Sequence, residues 1–451
     1  MNCKVNKKCR LIAQTSIFLF IFALMEKLMQ YIWANRLYLS EDMVTNDGLK
    51  VRVIDPGRLN TDAGPDFFIA KVEIDGEMWA GNVEIHVRAS DWRRHNHHMD
   101  RAYDSVILHV VEKDDAPVYR TDGMRIPQLV LKPNPHFNDS YRQLVNSTIE
   151  LPCADRIGQI PKLFITEWME SLAFERLQSK ADRMLELYDA FNGSWEDVCY
   201  VALARNLGFG INNDAFERLA RRAPLHLMQK HSDSLLQIEA FLFGQAGMLY
   251  PDAFPDDAYF QQLCSEYAFL ANKFQLSPLE SHGWKMFRIR PQNFPHRRIA
   301  MLARFVYGGF KLMSRIIDAP DEKALREIFS ITLSGYWANH YSFGKPSEIE
   351  SRALGNRSID ILLINTVAPL FYARSEVLRD SRLADKAVAL LQDLKPENCS
   401  IVSQFTFAGI KCPDALTSQA LIQLRREYCE KRKCLYCRIG HRLLSVAAQQ
   451  R

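Results

Sequence analysis

The sequence predicts an α+β protein, with an N-terminal mixed α/β unit followed by a mostly α-helical domain. Three observations carry that reading. Residues 67–74 (FFIAKVEI) and 78–87 (MWAGNVEIHV) are apolar-rich runs on either side of Asp75-Gly76, a dipeptide that reaches the positive φ values of a tight hairpin turn. Residues 106–111 (VILHVV) are β-branched and apolar, the composition of a strand buried on both faces. From about Leu151 the pattern lengthens to helical periods, over 163–191, 195–225 and 235–249, with Gly or Asn at the joints.

With 451 residues, 47% hydrophobic and 24% charged, the chain is long enough for two or three domains. A formal net charge of +4 permits a nucleic-acid partner without arguing for one, so binding has to come from local basic patches. Ten cysteines, unevenly spread, are too sparse for a small disulfide scaffold, and a reducing, cytoplasmic setting is the simpler expectation. Residues 1–24 join a basic start to an apolar run, like the first two regions of a signal peptide. The run is short of the ~20 residues of a membrane span. An upstream start codon, with Met25 as the natural beginning, accounts for this leader better than a membrane anchor, and no membrane partner is expected unless the leader is real.

Residues 25–38 form an amphipathic helix in which Leu28, Ile32, Trp33 and Tyr38 share a face, with Glu26 a solvated first-turn acid. A strand candidate over 43–53 is entered through Asn46-Asp47-Gly48. Ser90 is placed to N-cap a helix from Asp91 to about Tyr103. A last strand over 126–131 closes an α/β domain spanning 25–150, and Pro133-Asn134-Pro135 ends it. The helical domain is expected over 151–405, with SGYWANHYSFG and SIDILLINTVAPLF as core helices joined by a loop, and a cysteine-rich tail over 406–451.

The chemistry concentrates in the first of these domains. Strand alternation puts Glu84 and His86 on one side and Val83 and Ile85 on the other. Asp66 and Glu84 offer oxygen donors suited to Mg²⁺ or Mn²⁺, which bind through a few carboxylates plus the phosphates of a substrate. Five of the twelve histidines, His86, His95, His97, His98 and His109, fall in one short interval, so a site with imidazole ligands is also open, with His95 or His97 as auxiliary ligand or acid. The plainer alternative makes Glu84 a salt-bridged strand acid and puts the histidines on a wet helix face. Against it, a Glu-x-His pair flanked by apolar residues is costly on a core strand without a partner.

Two other constellations stand out. Arg288, Arg290, Arg297 and Arg298 interleave with Trp284, Phe287 and Phe294 in the segment 282–304. Such mixtures grip phosphate and stack on bases, and Pro295 sets a helix N-terminus beside them. The alternative is pairing with acids between helices. In the tail, Cys429, Cys434, Cys437 and His441 read C-x4-C-x2-C-x3-H, with Cys412 upstream, a spacing that can hold Zn²⁺ or an iron-sulfur cluster. The alternative is packing, since Cys434 and Cys437 at i and i+3 would share a helix face.

Pro65-Asp66 opening one strand, Glu84-x-His86 on the next, then a helix and a strand: this order resembles the PD-(D/E)xK nuclease core, a restriction-endonuclease-like unit. The resemblance implies that Asp66 and Glu84 hold a divalent metal, that a preceding helix lends an acid, a part open to Glu26, and that the activity is metal-dependent phosphodiester hydrolysis of DNA or RNA. Where that superfamily has Lys, this chain has His86, whose neutral imidazole can ligate metal or act as a base. From Met25 onward AGPDF, GNVEIH, SDW, LHVV, EAFLFGQAG, FRIRPQNFP, YWANHY, INTVAPL, SQALIQL and YCEKRKCLYC make the chain similar to an uncharacterised bacterial family, a domain of unknown function that implies no activity. Two further readings stay open: a non-catalytic nucleic-acid-binding or scaffold protein with a degenerate nuclease core, and a hydrolase of a small phosphorylated or acylated molecule.

Overall fold

Helix α1 occupies residues 25–34 and turns Leu28, Met29, Ile32 and Trp33 into a buried core, as its spacing of apolar residues requires. The structure, a computed structural model, describes residues 25–38, 43–132, 135–280, 283–347 and 353–449. The expected leader over 1–24 and His282 lie outside the described residues. The fold class is α+β, a mixed sheet at the N-terminal end followed by a mostly helical region.

The sheet holds β1 (Val51–Asp55), β2 (Arg58–Leu59), β3 (Phe67–Ile74), β4 (Glu77–Arg88), β5 (Val106–Lys113) and β6 (Gln128–Val130). Its order is β1-β3-β4-β5-β6, with β2 beside β3. The hairpin β3-β4 closes where expected, Asp75 and Gly76 taking φ of 51° and 87° between the paired Ile74 and Glu77. Antiparallel pairing in β1-β3-β4 gives way to parallel pairing in β4-β5-β6, so the chain must cross over between β4 and β5. The strand expected over 43–53 is confined to β1, because the turn at Asn46-Asp47-Gly48 leaves only isolated bridges at Val44 and Thr45.

The crossover departs from expectation. Instead of one helix to Tyr103 there is α2 (Asp91–Arg94) and two 3-10 turns, His97–Met99 and Arg101–Tyr103. Asn96 adopts φ 65°, a left-handed conformation that ends a helix, and the Asp100 carboxylate restarts a turn by accepting from Ala102 N–H at 2.9 Å. Ser90 does not cap α2. Its backbone N–H and its hydroxyl both donate to the Asp115 carboxylate, at 2.8 and 3.0 Å.

The described residues fall into two compact units, and the boundaries differ from those of the sequence pattern. One unit takes the chain through Lys162 together with residues from Arg426 on, and the other is Leu163–Arg425. The tail has no core of its own. Leu435 and Leu444 join Ile32, Val83, Leu108 and Phe137 in the first unit's core, and the helix Arg438–Gln449 packs along α3 (Pro135–Asn146).

The second unit is helical, from Lys162–Ala190 to Ala415–Gln423. SGYWANHYSFG differs from the core helix expected of it: only Tyr336–Asn339 is helical, and a small hairpin, His340–Ser342 with Lys345–Pro346, follows around Gly344 at φ 61°. Among the described residues, Asn356–Leu378 is long and apolar enough to cross a membrane, yet Ile359, Leu362, Leu363, Ile364 and Val367 are buried in this unit's interior.

Candidate metal centre

Parallel register across β4, β5 and β6 pairs Glu84 with His109 and His109 with Gln128, so one face of the sheet carries a buried polar row. His86 sits two residues along β4 on the same face, 1% exposed. The other face, with Val83, Ile85, Leu108 and Val110, packs on the apolar side of α1.

Three segments bring further groups to Glu84 and His86. The break at Asn96 lets His95 and His97 fold back together onto His86, which a continuous helix would forbid, since residues i and i+2 point to different sides. Ring nitrogens of His86, His95 and His97 lie within 4.8 Å of one another. Glu84 Oε1 is 3.4 Å from His86 Nε2 and 3.2 Å from His97 Nε2. Helix α1 adds Glu26 and Gln30, one turn apart. Glu26 Oε1 comes to 3.9 Å from His86 Nε2, and Gln30 Nε2 donates to Asp66 Oδ1 at 2.8 Å. Glu26 is therefore not the solvated acid the helix position implied.

Asp66 meets Glu84 in a reciprocal clamp. The Asp66 N–H donates to Glu84 Oε2 at 3.0 Å, and the Ile85 N–H donates to Asp66 Oδ2 at 2.9 Å. Both Asp66 oxygens thus already accept from protein donors, while Glu84 keeps Oε1 directed at the histidines. A bulge beside it, with exposed Ile69 at φ 57° and its N–H held by Asn82 Oδ1 at 3.2 Å, bends β3 away from regular pairing at this edge.

Behind the histidines, His86 Nδ1 and His109 Nε2 share a hydrogen bond at 2.9 Å, which orients the His86 ring with Nε2 outward. His86 Nε2 in turn lies 3.1 Å from His95 Nδ1. Trp92, fully buried, sets its ring edge-on to His97 and His109, and Tyr103 stacks on His97 at 3.7 Å. His98 stays outside this cluster. Tyr103, Trp92 and Gln30 carried no sequence signal, since their spacing reads as ordinary packing.

Burial decides the protonation states. It pushes Glu84 up to about 8, and Asp66 up to about 8 with the Glu84 charge adding to it. Glu26 is pushed up to about 7, first by burial and then by Asp66. The histidines move the other way for the same reason. His97 falls to about 4, His109 to about 3, and His86 and His95 are also lowered. Near neutral pH the imidazoles are uncharged, as metal ligation requires.

Residues 26–400 match a family described as a protein of unknown function, DUF2851. The chain belongs to the DUF2851 family. No curated protein and no solved structure matches the chain. The DUF2851 match begins at Glu26 and takes in every residue of the centre as well as the arginines.

The tail cysteines lie beyond the DUF2851 match and do not gather as their spacing implied. Cys434 and Cys437 neighbour Cys153, a residue the spacing did not bring in, and burial pushes Cys153 to about 12 and Cys434 to about 11, so these thiols are protonated. Cys412 belongs to the helical unit, beside Asp414 and Cys399, its thiol also raised to about 12 by burial. His441 has both ring nitrogens engaged, Nδ1 by the Tyr31 hydroxyl and Nε2 by Ser445 Oγ at 3.4 Å. Cys429 is half-buried.

The arginines divide by exposure. Arg288 and Arg290 are exposed, whereas Arg297 and Arg298 are 1% and 3% exposed on the helix Pro295–Val306. Among the described residues, neither buried arginine has the inter-helix acid partner of the plainer alternative. Arg297 donates to His340 O at 3.2 Å, and Arg298 to Asn293 Oδ1 at 2.6 Å and Met301 Sδ at 3.3 Å.

Proposed function

We propose that the protein is a metal-dependent phosphodiesterase acting on DNA or RNA, with a divalent ion held by His86, His95, His97 and Glu84. One observation carries the reading. Glu84 Oε1, Glu26 Oε1 and His95 Nδ1 all approach His86 Nε2, at 3.4, 3.9 and 3.1 Å, so oxygen and nitrogen lone pairs from four side chains converge on one point. A cation at their centre satisfies all of these lone pairs at once.

The donor set refines the expected ion. Imidazoles suit Zn²⁺ and Fe²⁺ better than Mg²⁺, and the carboxylate extends the choice to Mn²⁺. When bound, the ion would neutralise charge on a phosphoryl oxygen and make hydroxide available near neutral pH. Glu84 holds its place through the clamp with Asp66, which acts as a positioning residue. Glu26, titrating near 7 at the edge of the cluster, is suited to take a proton from the attacking water and return it to the leaving oxygen. Trp92 and Tyr103 close the histidine side against solvent.

The resemblance of Pro65-Asp66 and Glu84-x-His86 to the PD-(D/E)xK order supports nucleic acid as the substrate. The three-imidazole set favours a second reading, hydrolysis of a small phosphate ester. Metal analysis of the purified chain, followed by assays with Zn²⁺, Mn²⁺ or Mg²⁺ on DNA, RNA, bis-p-nitrophenyl phosphate and p-nitrophenyl phosphate, separates the two. The first reading expects diester cleavage that is lost in His86→Asn. Cleavage of the monoester alone selects the second, and a metal-free chain inert on every substrate leaves the non-catalytic, degenerate-core reading.

A further inference from the structure

The helical unit contains a cleft of about 650 Å³ with an unusual charge inventory. Arg288, Arg290, Arg298 and Arg357 line it, and no Asp or Glu among the described residues does. Its floor is built from Arg298. That guanidinium is buried, lies 4.4 Å above the Phe209 ring, and among the described residues is hydrogen-bonded only to neutral groups, Asn293 Oδ1 and Met301 Sδ, with no partner there for its Nε. Burial, and then the neighbouring Arg297, lower its pKa only to about 10, so the charge persists at neutral pH. A buried cation with no counter-charge among the described residues is costly, and the natural remedy is an anion from solution.

The segment carrying the rim arginines is fixed to the scaffold. Asn212 donates from Nδ2 to Lys285 O and accepts from Lys285 N–H, each at 2.9 Å, and Trp284 Nε1 donates to Ala246 O at 2.8 Å. Arg288 and Arg290 follow directly, are exposed and line the cleft, with Arg357 tethered to Asn398 O. A planar fork at the floor and exposed forks at the rim match an oxyanion with several acceptor oxygens. Arg297 does not line the cleft, so the expected set of four loses that member and gains Arg357.

We propose that this cleft binds a phosphate group, with Arg298 as the buried contact and Arg288, Arg290 and Arg357 as the rim. The proposal stands without the metal centre, and its test is run in EDTA so that the two can fail separately. Calorimetric titration of the full chain would use inorganic phosphate and a short single-stranded DNA with either a 5′-phosphate or a 5′-hydroxyl. Binding at millimolar or tighter Kd is expected for a probe bearing phosphate, weakened about tenfold or more in the exposed double variant Arg288→Gln, Arg290→Gln, whose fold circular dichroism would confirm. Preference for the 5′-phosphorylated DNA over inorganic phosphate assigns the group to a nucleic-acid end, and equal affinity assigns it to free phosphate. No binding of any probe at about 10 mM, or binding unchanged in the double variant, overturns the site.

Discussion

Glu84 combines two duties that its neighbours in sequence do not reveal: Oε2 takes the Asp66 N–H and Oε1 faces His86 and His97. Glu84→Gln keeps the shape and removes the charge, so the ligand is lost while the strand stays in place. Metal affinity should fall at least about tenfold and hydrolysis by 100-fold or more, on the order of the loss of one charged ligand. The same change should make the metal-free protein more stable at pH 8, by on the order of 1 kcal/mol, because a carboxyl pushed up to about 8 is costly to ionise in the folded state. Melting curves in EDTA check this, and a variant less stable than the parent at pH 8 would contradict the assigned burial. His109 acts one step back. His109→Asn removes the group that fixes His86 Nδ1 and should weaken metal binding by about 10- to 100-fold without touching a ligand. Unaltered affinity in a folded His109→Asn variant would show that the His86 ring is oriented by something else. Of these residues, Glu84 and His86 were legible from strand alternation alone. The Asp66 clamp and the Glu26 contact were not, because each depends on where a separate segment lands.

At the scale of elements, the hairpin at Asp75-Gly76 and the strand 106–111 declared themselves because local turn chemistry and β-branched composition act within a few residues. The interrupted crossover did not. Its determinant is the left-handed Asn96, a conformation that asparagine tolerates but does not demand, and the histidine cluster depends on it. The seat of the tail was not legible for a similar reason: its apolar residues Leu435 and Leu444 find their partners on α1 and α3, some three to four hundred residues earlier. Tyr31 joins α1 to that tail, its hydroxyl on His441 and its ring stacked on Phe137 at 6.0 Å. Tyr31→Phe keeps the stack and deletes the hydrogen bond. It should cost roughly 1 kcal/mol, or about 2–4 °C in Tm, and should speed proteolysis of the C-terminal helix. An unchanged Tm and an equally protected tail would mean that apolar packing alone seats that helix.

For the whole molecule, composition foretold the order of a mixed sheet and then helices, while the division at Lys162 and Arg425 reflects contacts made across the chain's full length. Within the first unit, residues between Glu26 and His109 gather acids and imidazoles into one largely buried site, which ties stability to pH. In the metal-free protein, Glu84 and Asp66 have folded values near 8 and Glu26 near 7, above their ordinary 4.5, 3.8 and 4.5. Their contribution is complete below those ordinary values and is lost as pH rises toward 8. His97 and His109, lowered to about 4 and 3 from 6.5, act oppositely: their contribution is complete above 6.5 and is lost as pH falls. Stability should therefore be broad and highest between about pH 4.5 and 6.5, and decline from there to pH 8. A divalent ion needs the carboxylates ionised and the imidazoles neutral, so its affinity should climb across that same interval and cancel the decline. Thermal melts in EDTA and in Zn²⁺ or Mn²⁺, taken from pH 5.5 to 8.5, should show a metal-induced rise in Tm that widens with pH. A shift that shrinks toward pH 8, or a metal-free Tm that rises there, would mean that these side chains do not share one cation.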